Sequence, residues 1–251
     1  MKKQAVFRFY EELNDFLPLR KRKIDFVCEF DGSPSIKDTI ESLGIPHPEV
    51  DLILVNGQSV NFSYLLQDGD RVSVYPLFES FDITNATHLR EKPLRNPRFL
   101  LDAHLGRLAR FLRLLGFDSL YENTFSERNI ADALPRDPGR ILLTRDRNLL
   151  KRKVVTHGYW VRATEKEQQV KEVLRRFDLF SLIAPFTLCL ACNSRIVTVE
   201  KAAVIDRLPP KVRERLDIYT WCPACRRIYW QGTHYEKMQE FIRRLLEEGD
   251  D

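Results

Sequence analysis

The sequence lacks the features that would place it in several common classes. No run of about 18 apolar residues is present, so we predict no membrane-spanning helix. Neither a Ser-His-Asp order nor a glycine-rich phosphate loop is visible, which leaves acyl transfer and nucleotide hydrolysis without support. The net charge is only +4, so the chain is not a histone-like polycation, although local basic regions are compatible with nucleic acid. The 251 residues, 43% of them hydrophobic, suffice for one large domain or two to three small ones.

Cysteine is scarce, and four of the five cysteines stand in two Cys-x-x-Cys pairs. Cys189 and Cys192 form the first pair, and Cys222 and Cys225 form the second after an interval of 29 residues, 193–221. Four thiolates can surround one Zn²⁺ tetrahedrally, and because no position is left for water we expect this zinc to be structural. Two disulfides are the weaker alternative, since we find no secretory segment and predict a reducing, cytoplasmic location. The lone Cys28 is expected to be a small buried apolar residue.

The first of three segments, residues 1–81, has the pattern of a small mixed sheet folded over one helix. Ser35 is a predicted helix cap, and Asn56-Gly57 and Asp68-Gly69-Asp70 predict tight turns. The predicted strands are Ala5–Tyr10, Asp25–Phe30, Leu52–Val55 and Arg71–Pro76, and the predicted helix is Ile36–Leu43.

Two turn sequences in this segment, Val55-Asn56-Gly57 and Leu66-x-Asp68-Gly69-Asp70-x-Val72, are shared with a known fold. They resemble the ubiquitin-like β-grasp fold of the sulfur-carrier proteins. Those carriers end in a flexible Gly-Gly, whereas here the last strand continues into Pro76–Phe81. The resemblance therefore implies a β-grasp domain that serves binding rather than sulfur transfer. Residues 82–97 lack periodicity, contain Pro93 and Pro97, and are a predicted linker.

The second segment, residues 98–183, alternates strands and helices, which predicts a parallel sheet covered by helices on both faces. The predicted strands are Arg98–Leu101, Ser119–Tyr121, Arg140–Thr144 and Tyr159–Arg162. The predicted helices run from Ala103 to Leu115, closed by Gly116, from Ser126 to Leu134, and from a capping box at Thr164-x-x-Glu167 to Phe177. The third segment, residues 184–251, is a predicted zinc ribbon followed by a C-terminal helix, Tyr235–Glu248.

Acidic residues occur where an α/β sheet usually carries its site. Asp102 and Asp146 come directly after predicted strands, and Asp132 and Glu127 lie on the helix between the second and third strands. Carboxylates that converge at the carboxyl ends of strands can hold Mg²⁺ or Mn²⁺ for phosphodiester cleavage. The alternative is that Asp102 and Asp146 are helix N-caps and that Asp132 is a solvated surface residue.

Several separate motifs of the second and third segments agree with one nuclease family. They are Leu101-Asp102, the run from Leu105-Gly106-Arg107-Leu108-Ala109-Arg110 to Gly116-Phe117-Asp118, Ile141–Asp146, and Arg227-Ile228-Tyr229-Trp230-x-Gly232-Thr233-His234-Tyr235. Over about Phe99–Met238 the chain resembles the mut-seven C-terminal ribonuclease family, a branch of the PIN-like nucleases, some of which carry an N-terminal ubiquitin-like domain. The resemblance implies metal-dependent RNA cleavage with Asp102 and Asp146 as ligands. Asp132 is the first choice for a third acid and Glu127 the second.

Basic and aromatic residues near these motifs are candidates for RNA binding. Guanidinium groups suit phosphates by charge and geometry, and aromatic rings stack on unpaired bases. The alternatives are a solvated helix face for the arginines and a place in the ribbon's own core for Tyr229 and Trp230. The candidates are Arg107, Arg110 and Arg113 on one helix, Arg145 and Arg147 beside Asp146, and Arg226, Arg227, Tyr229, Trp230 and His234 after the second cysteine pair.

The combined interpretation is an α/β protein of three parts: a β-grasp domain, a PIN-like nuclease domain and a zinc ribbon. We expect a cytoplasmic ribonuclease that uses Mg²⁺ or Mn²⁺ in catalysis and Zn²⁺ in its structure. RNA is the expected partner, with structured RNA such as tRNA among the candidates, and no membrane is expected. The alternatives are a non-catalytic RNA-binding protein with an incomplete acid set and an adaptor that binds a protein through its β-grasp domain.

Overall fold

The computed structural model of the protein describes residues 2–76, 97–213 and 218–248. Contacts divide the chain into two units, the first containing Met1–Asn96 and Ser126–Trp160 and the second containing Pro97–Phe125 and Val161–Asp251. The predicted linker, residues 82–97, lies outside the described residues except for Pro97. In the described ranges, no helix combines the length and the apolar character needed to cross a bilayer.

The N-terminal residues form a five-stranded mixed sheet with one helix. In chain order the elements are β1 (Lys3–Phe9), β2 (Phe26–Phe30), α1 (Ile36–Ser42), β3 (Val50–Val55), β4 (Gln58–Ser59) and β5 (Arg71–Pro76). The sheet order is β2-β1-β5-β3-β4, in which β1 and β5 are parallel and the other neighbouring pairs are antiparallel. This is the β-grasp arrangement that the sequence predicted.

Local sequence explains these elements. Side chains of β1 alternate between the core and the outer face, and Phe7 is completely buried. The helix α1 begins where the Ser35 hydroxyl accepts the N–H of Asp38 at 3.1 Å. The β3–β4 hairpin turns through Asn56 and Gly57, whose φ angles of 51° and 84° are left-handed. The predicted cap and the predicted hairpin are therefore both confirmed.

Strands and helices alternate through the central part of the chain. In chain order they are β6 (Arg98–Leu101), α2 (Gly106–Leu114), β7 (Ser119–Leu120), α3 (Glu127–Ala133), β8 (Arg140–Thr144), α4 (Arg147–Leu150), β9 (Gly158–Trp160) and α5 (Lys166–Arg176). In the second unit β6 pairs with β7, and in the first unit β8 pairs with β9, both in parallel. Parallel strand pairs that alternate with helices define an α/β fold, so the predicted α/β class is confirmed.

The helix after β6 starts later than predicted and ends as predicted. A 3₁₀ turn, Ala103–Leu105, comes first, and α2 begins at Gly106. Gly116 follows the helix with a φ of +95°. A Cβ atom at that position would lie 2.3 Å from the carbonyl oxygen of Ala184. Both the left-handed backbone and the close approach therefore require glycine here.

The capping box predicted at Thr164-x-x-Glu167 is wrong. The N-cap of α5 is Glu165, and no side chain caps the helix. Glu172 acts on the preceding loop from within the helix, since its two carboxylate oxygens accept the N–H groups of Arg162 and Ala163 at 2.8 Å each. The carboxylate of Glu172, two turns after the N-cap residue, therefore makes hydrogen bonds to the preceding loop in place of the predicted capping box.

Three antiparallel strands form the ribbon. Its elements and those that follow are β10 (Val197–Glu200), α6 (Pro210–Arg213), β11 (Ile218–Trp221), β12 (Ile228–Tyr229) and α7 (Thr233–Glu247), with the strand order β10-β11-β12. The ribbon has a small core of its own, made by Val204, Leu208 and Tyr219. Within the second unit, Phe241 of α7 packs on Phe111 of α2 with the ring centroids 4.7 Å apart.

Candidate metal centre and nuclease residues

The two cysteine turns have matching backbones. The N–H of Asn193 donates to the carbonyl of Cys189 at 2.9 Å, and the N–H of Arg226 donates to the carbonyl of Cys222 at 2.8 Å. Asn193 and Arg226 each lie four residues after the first cysteine of their pair, and their φ angles are 70° and 59°. The repeated Cys-x-x-Cys spacing thus corresponds to one repeated turn that presents both thiols of a pair on the same side.

The four sulfur atoms form one cluster. All lie within 4.8 Å of one another, with 3.5 Å between Cys189 and Cys225 and 3.4 Å between Cys192 and Cys222. A tetrahedral zinc ion with bonds of about 2.3 Å separates its sulfur ligands by about 3.8 Å, so the spacing fits one ion bound by both pairs. Thiolate donors suit zinc and not Mg²⁺ or Mn²⁺. The cluster can therefore hold a structural metal such as zinc.

The thiols of the cluster do not all ionise without a cation. Partial burial and the neighbouring thiols raise the pKa of Cys225 to about 12, and burial also raises the pKa of Cys222. Burial acts in the same direction on Cys192, but hydrogen bonds with Ser194, Cys222 and Cys189 together outweigh it and lower that pKa to about 6. A bound divalent cation would compensate the charge of four adjacent thiolates, so metal binding here is coupled to proton release.

Tyr229 supports the cluster from β12. Its hydroxyl lies 3.0 Å from the sulfur of Cys189, and burial raises the pKa of the phenol, which keeps it a proton donor. Hydrogen bonds of this kind fix the orientation of metal ligands. Tyr229 therefore has a structural role at the cluster, but it lies outside the ribbon core. Trp230 also lies outside that core and is 38% exposed.

Arg113 is bonded to the first cysteine turn and is not exposed to solvent. Only 3% of the residue is exposed, and its guanidinium donates to the carbonyls of Ser119 at 2.9 Å, Leu190 at 3.2 Å and Ala191 at 2.8 Å. Burial lowers the pKa of this guanidinium, an effect that nearby negative charge partly offsets. The prediction that Arg113 contacts nucleic acid is therefore wrong.

Helix geometry explains this error. Arg107 and Arg110 are exposed, as predicted for a solvent-facing stripe. Residues three apart differ by about 300° around an α-helix, so each arginine is displaced by about 60° from the one before it. Arg113 consequently lies about 120° from Arg107 and turns towards β7 and the first cysteine turn. Arg107 and Arg110 remain candidates for phosphate contacts.

Asn193 makes a second connection between the first cysteine turn and β7, which sequence reasoning missed. Its side-chain amide donates to Asp118 at 2.6 Å, and its side-chain oxygen accepts the N–H of Ser119 at 2.9 Å. Asp118 thus has a structural role before β7. The sequence offered one signal for this role, an asparagine directly after a Cys-x-x-Cys pair. Asparagine tolerates the left-handed conformation found at that position.

Replacing Arg113 and replacing Arg110 should have opposite effects. Arg113→Met should lower the free energy of unfolding by about 3 kcal/mol, because buried carbonyls lose their donors. Arg110→Met should change stability by less than about 0.5 kcal/mol and should weaken RNA binding with a smaller salt dependence. Denaturant unfolding and RNA titrations at two salt concentrations measure both quantities. Equal stability losses in the two variants would contradict these assignments.

Asp102 and Asp146 each follow a strand directly and begin a helical turn. Oδ1 of Asp102 accepts the N–H of His104 at 2.8 Å, and Oδ1 of Asp146 accepts the N–H of Asn148 at 2.8 Å. Asp102 is 5% exposed, and Asp146 is half-buried. Both residues thus make the N-cap hydrogen bond that the capping alternative predicts. A carboxylate offers two oxygens and about four lone-pair directions, so capping is compatible with metal binding.

The two acids on α3 are both exposed. Glu127 forms an ion pair with Arg152, and both side chains are more than half exposed. Asp132 occupies the solvated position that the sequence alternative described. Within the described ranges, the four cysteines are the only group of three or more potential ligands gathered closely enough to hold a metal ion. Ligand roles for Asp132 and Glu127 therefore stay predictions.

The remaining basic candidates differ in their surroundings. Arg145 is exposed, whereas the guanidinium carbon of the half-buried Arg147 lies 3.7 Å from the ring centroid of Trp160. Exposed residues cluster in sequence around the second cysteine pair and the start of α7, namely Arg226, Arg227, Trp230 and His234. An exposed indole among cations offers the stacking and charge that unpaired RNA requires.

Two protein-family comparisons match the chain. The family described as Mut7-C RNAse domain matches residues 97–242, a range that contains β6, β8 and all four cysteines of the cluster. The family described as Mut7-C ubiquitin matches residues 2–82. Because the first match covers more than half of the chain, the protein belongs to the Mut7-C RNAse domain family, as the sequence motifs indicated. No curated protein and no solved structure matches the chain.

Proposed function

We propose that the protein is a metal-dependent ribonuclease that hydrolyses RNA phosphodiester bonds with Mg²⁺ or Mn²⁺. The family match over residues 97–242 is the observation that carries this proposal. It is supported by the positions of Asp102 and Asp146, each directly after a strand that pairs in parallel with its neighbour. Sites in open α/β folds lie beyond the carboxyl ends of the strands, and hard divalent cations prefer carboxylate oxygens.

Asp102 and Asp146 are the proposed ligands of the catalytic ions. Both have carboxylate oxygens, and their helix-capping hydrogen bonds use Oδ1 and fix the orientation of the group. A bound Mg²⁺ or Mn²⁺ supplies activation of water and stabilisation of the charge on the leaving oxygen. Asp132 is the preferred third ligand, because the carboxylate of Glu127 is already paired with Arg152.

Exposed cations and the exposed indole would bind the RNA strand. Arg107, Arg110 and Arg145 would contact phosphates, since guanidinium groups match their charge and geometry. The group around the second cysteine pair would hold unpaired bases by stacking on Trp230. Structured RNA such as tRNA, which presents unpaired loops and ends, is the substrate class we propose. A cluster of four thiolates is typical of a reducing compartment, so we propose a cytoplasmic location for this activity.

The test is cleavage of labelled tRNA and of an unstructured RNA by the full-length protein. Reactions contain Mg²⁺, Mn²⁺ or EDTA, and zinc content is measured in the same samples, so that loss of ribbon zinc is not mistaken for loss of the catalytic ion. Cleavage that needs added Mg²⁺ or Mn²⁺ at constant zinc content supports the proposal. Cleavage at full rate in EDTA would contradict the metal requirement.

A non-catalytic RNA-binding protein is the second candidate. It is favoured by one observation, that no carboxylate cluster of three or more residues is gathered among the described residues. Tight RNA binding without cleavage under any metal would select this candidate. Absence of both binding and cleavage would point to the third candidate, an adaptor that recognises a protein through its β-grasp domain.

A further inference from the structure

The residue after Asp146 is held by an aromatic pair, one member of which belongs to the β-grasp domain. The guanidinium carbon of Arg147 lies 3.7 Å from the ring centroid of Trp160 and 5.2 Å from that of Phe16. The two rings are themselves 5.0 Å apart and tilted by 47°. Phe16 is 6% exposed and belongs to the β-grasp core, so its ring is a fixed surface. Arg147 is therefore positioned by cation–π contacts with the rings of Trp160 and Phe16.

Two hydrogen bonds join the same parts of the chain. The backbone N–H of Trp160 donates to a carboxylate oxygen of Glu49 at 2.5 Å, and Glu49 is completely buried. The ammonium of Lys151 donates to the carbonyl of Glu41 at 2.8 Å. Glu41 and Glu49 both lie in the segment that contains α1 and β3 of the β-grasp domain. Hydrogen bonds to Glu49 and Glu41 thus accompany the packing of Phe16 on Trp160.

These contacts hold both ends of α4. Arg147 is the first residue of this four-residue helix, and Lys151 is its C-cap. A helix of a single turn has almost no stability of its own, so its position is set by what it contacts. Its N-cap is Asp146, whose carboxylate accepts the N–H of Asn148 in the first turn. A displacement of α4 would therefore move the N–H group that the Asp146 carboxylate accepts.

We propose that Phe16 of the β-grasp domain is a positioning residue of the nuclease site, acting through Trp160 and Arg147 on the Asp146 carboxylate. The proposal rests on the proposed function in taking Asp146 as a metal ligand. It assigns the ubiquitin-like domain a part in the nuclease itself, in place of a role as an independent binding module. It also explains why Arg147, beside a predicted metal ligand, lies against rings.

The experiment compares three variants of the full-length protein with the wild type. Phe16→Leu keeps an apolar side chain but removes the aromatic face, and Arg147→Met keeps the aliphatic stem but removes the charge. Leu19→Ala, in the same domain and 82% exposed, is the matched control. Each variant is assayed for the Mn²⁺ concentration that gives half-maximal cleavage, for the KM of RNA and for amide hydrogen exchange of residues 146–150. Thermal unfolding curves are recorded to check that each variant is folded.

We expect Phe16→Leu and Arg147→Met to raise the half-saturating Mn²⁺ concentration about tenfold, the usual effect of removing support behind a metal ligand. The KM for RNA should stay within about twofold, because the Arg147 guanidinium lies against the rings of Trp160 and Phe16, which replaces the phosphate contact suggested by the sequence. Amide exchange in α4 should become faster in both variants and stay unchanged in Leu19→Ala. Arg147→Lys, which keeps a cation over the ring, should restore most of the Mn²⁺ affinity.

Unchanged Mn²⁺ dependence and unchanged exchange in Phe16→Leu would overturn the proposal. So would a large rise in the KM for RNA in Arg147→Met alone, which would identify a direct phosphate contact. If Phe16→Leu does not fold, Arg147→Met decides the question with the same readouts. If the wild type shows no metal-dependent cleavage, the proposed function fails, and the exchange measurement still decides whether the β-grasp domain holds α4.

Discussion

Replacing Asp146 with asparagine should lower the rate of metal-dependent RNA cleavage by at least about a hundredfold, and Asp102→Asn should do the same. Loss of a direct carboxylate ligand exceeds the effect of losing an outer contact, which already costs about 10- to 100-fold in metal affinity. The asparagine side-chain oxygen can still accept the capping N–H of His104 or Asn148, so the helix turns should be preserved. Initial rates across a Mn²⁺ titration measure the effect.

The acids on α3 provide the comparison within the same chain. Asp132→Asn should lower the rate by less than Asp146→Asn does, and Glu127→Gln should have the smallest effect because Glu127 is paired with Arg152. Unfolding curves must coincide for all four variants. Full cleavage by both Asp102→Asn and Asp146→Asn would show that these residues serve only as helix caps, and the metal site would have to be sought elsewhere.

Cys222→Ser should remove the zinc and destabilise the ribbon. Cys222 is buried, and its sulfur lies 3.4 Å from the sulfur of Cys192 in the four-sulfur cluster. Its replacement therefore leaves only three thiol ligands for the zinc ion. Structural zinc sites contribute several kcal/mol to folding, and a loss of about 3 kcal/mol corresponds to roughly 10 °C in the melting temperature of a chain of this size. The zinc content, measured by elemental analysis, should fall from one ion per chain to less than about 0.1.

Cys28→Ser is the matched control for this change. The sequence predicted a small buried apolar residue, and Cys28 is a partly buried residue of β2 that packs against the β-grasp core and lies outside the cluster. Its substitution should leave the zinc content at one per chain. Full zinc occupancy in Cys222→Ser, or an equal loss in Cys28→Ser, would contradict the assignment of the cluster as the zinc site.

Features that depend on neighbouring residues were predictable from the sequence. The Asn56-Gly57 turn, the Ser35 cap and the glycine after α2 each follow from the conformations that those residues allow. The four cysteines were predictable for a related reason, since a Cys-x-x-Cys spacing fits one metal-binding turn. The family motifs in the second and third segments added the nuclease class, which spacing alone does not give.

Features that depend on distant residues were not predictable. The hydrogen bond between Glu49 and Trp160 joins residues 111 apart in the chain, and no local pattern marks either residue as a partner of the other. The burial of Arg113 followed from the packing of α2 against the ribbon, which its own sequence does not specify. The acids remain the least determined, because a strand-end aspartate can cap a helix, bind a metal or do both.

The contacts of Arg113 also constrain how this protein can evolve. Its guanidinium is buried on α2, while two of its acceptors, the carbonyls of Leu190 and Ala191, belong to the ribbon. A recombination event that joined this nuclease segment to a foreign ribbon would leave a buried cation with fewer partners, at a cost of about 3–5 kcal/mol. That is a large part of the 5–15 kcal/mol by which proteins typically favour the folded state. We therefore expect the nuclease segment and its ribbon to be inherited together.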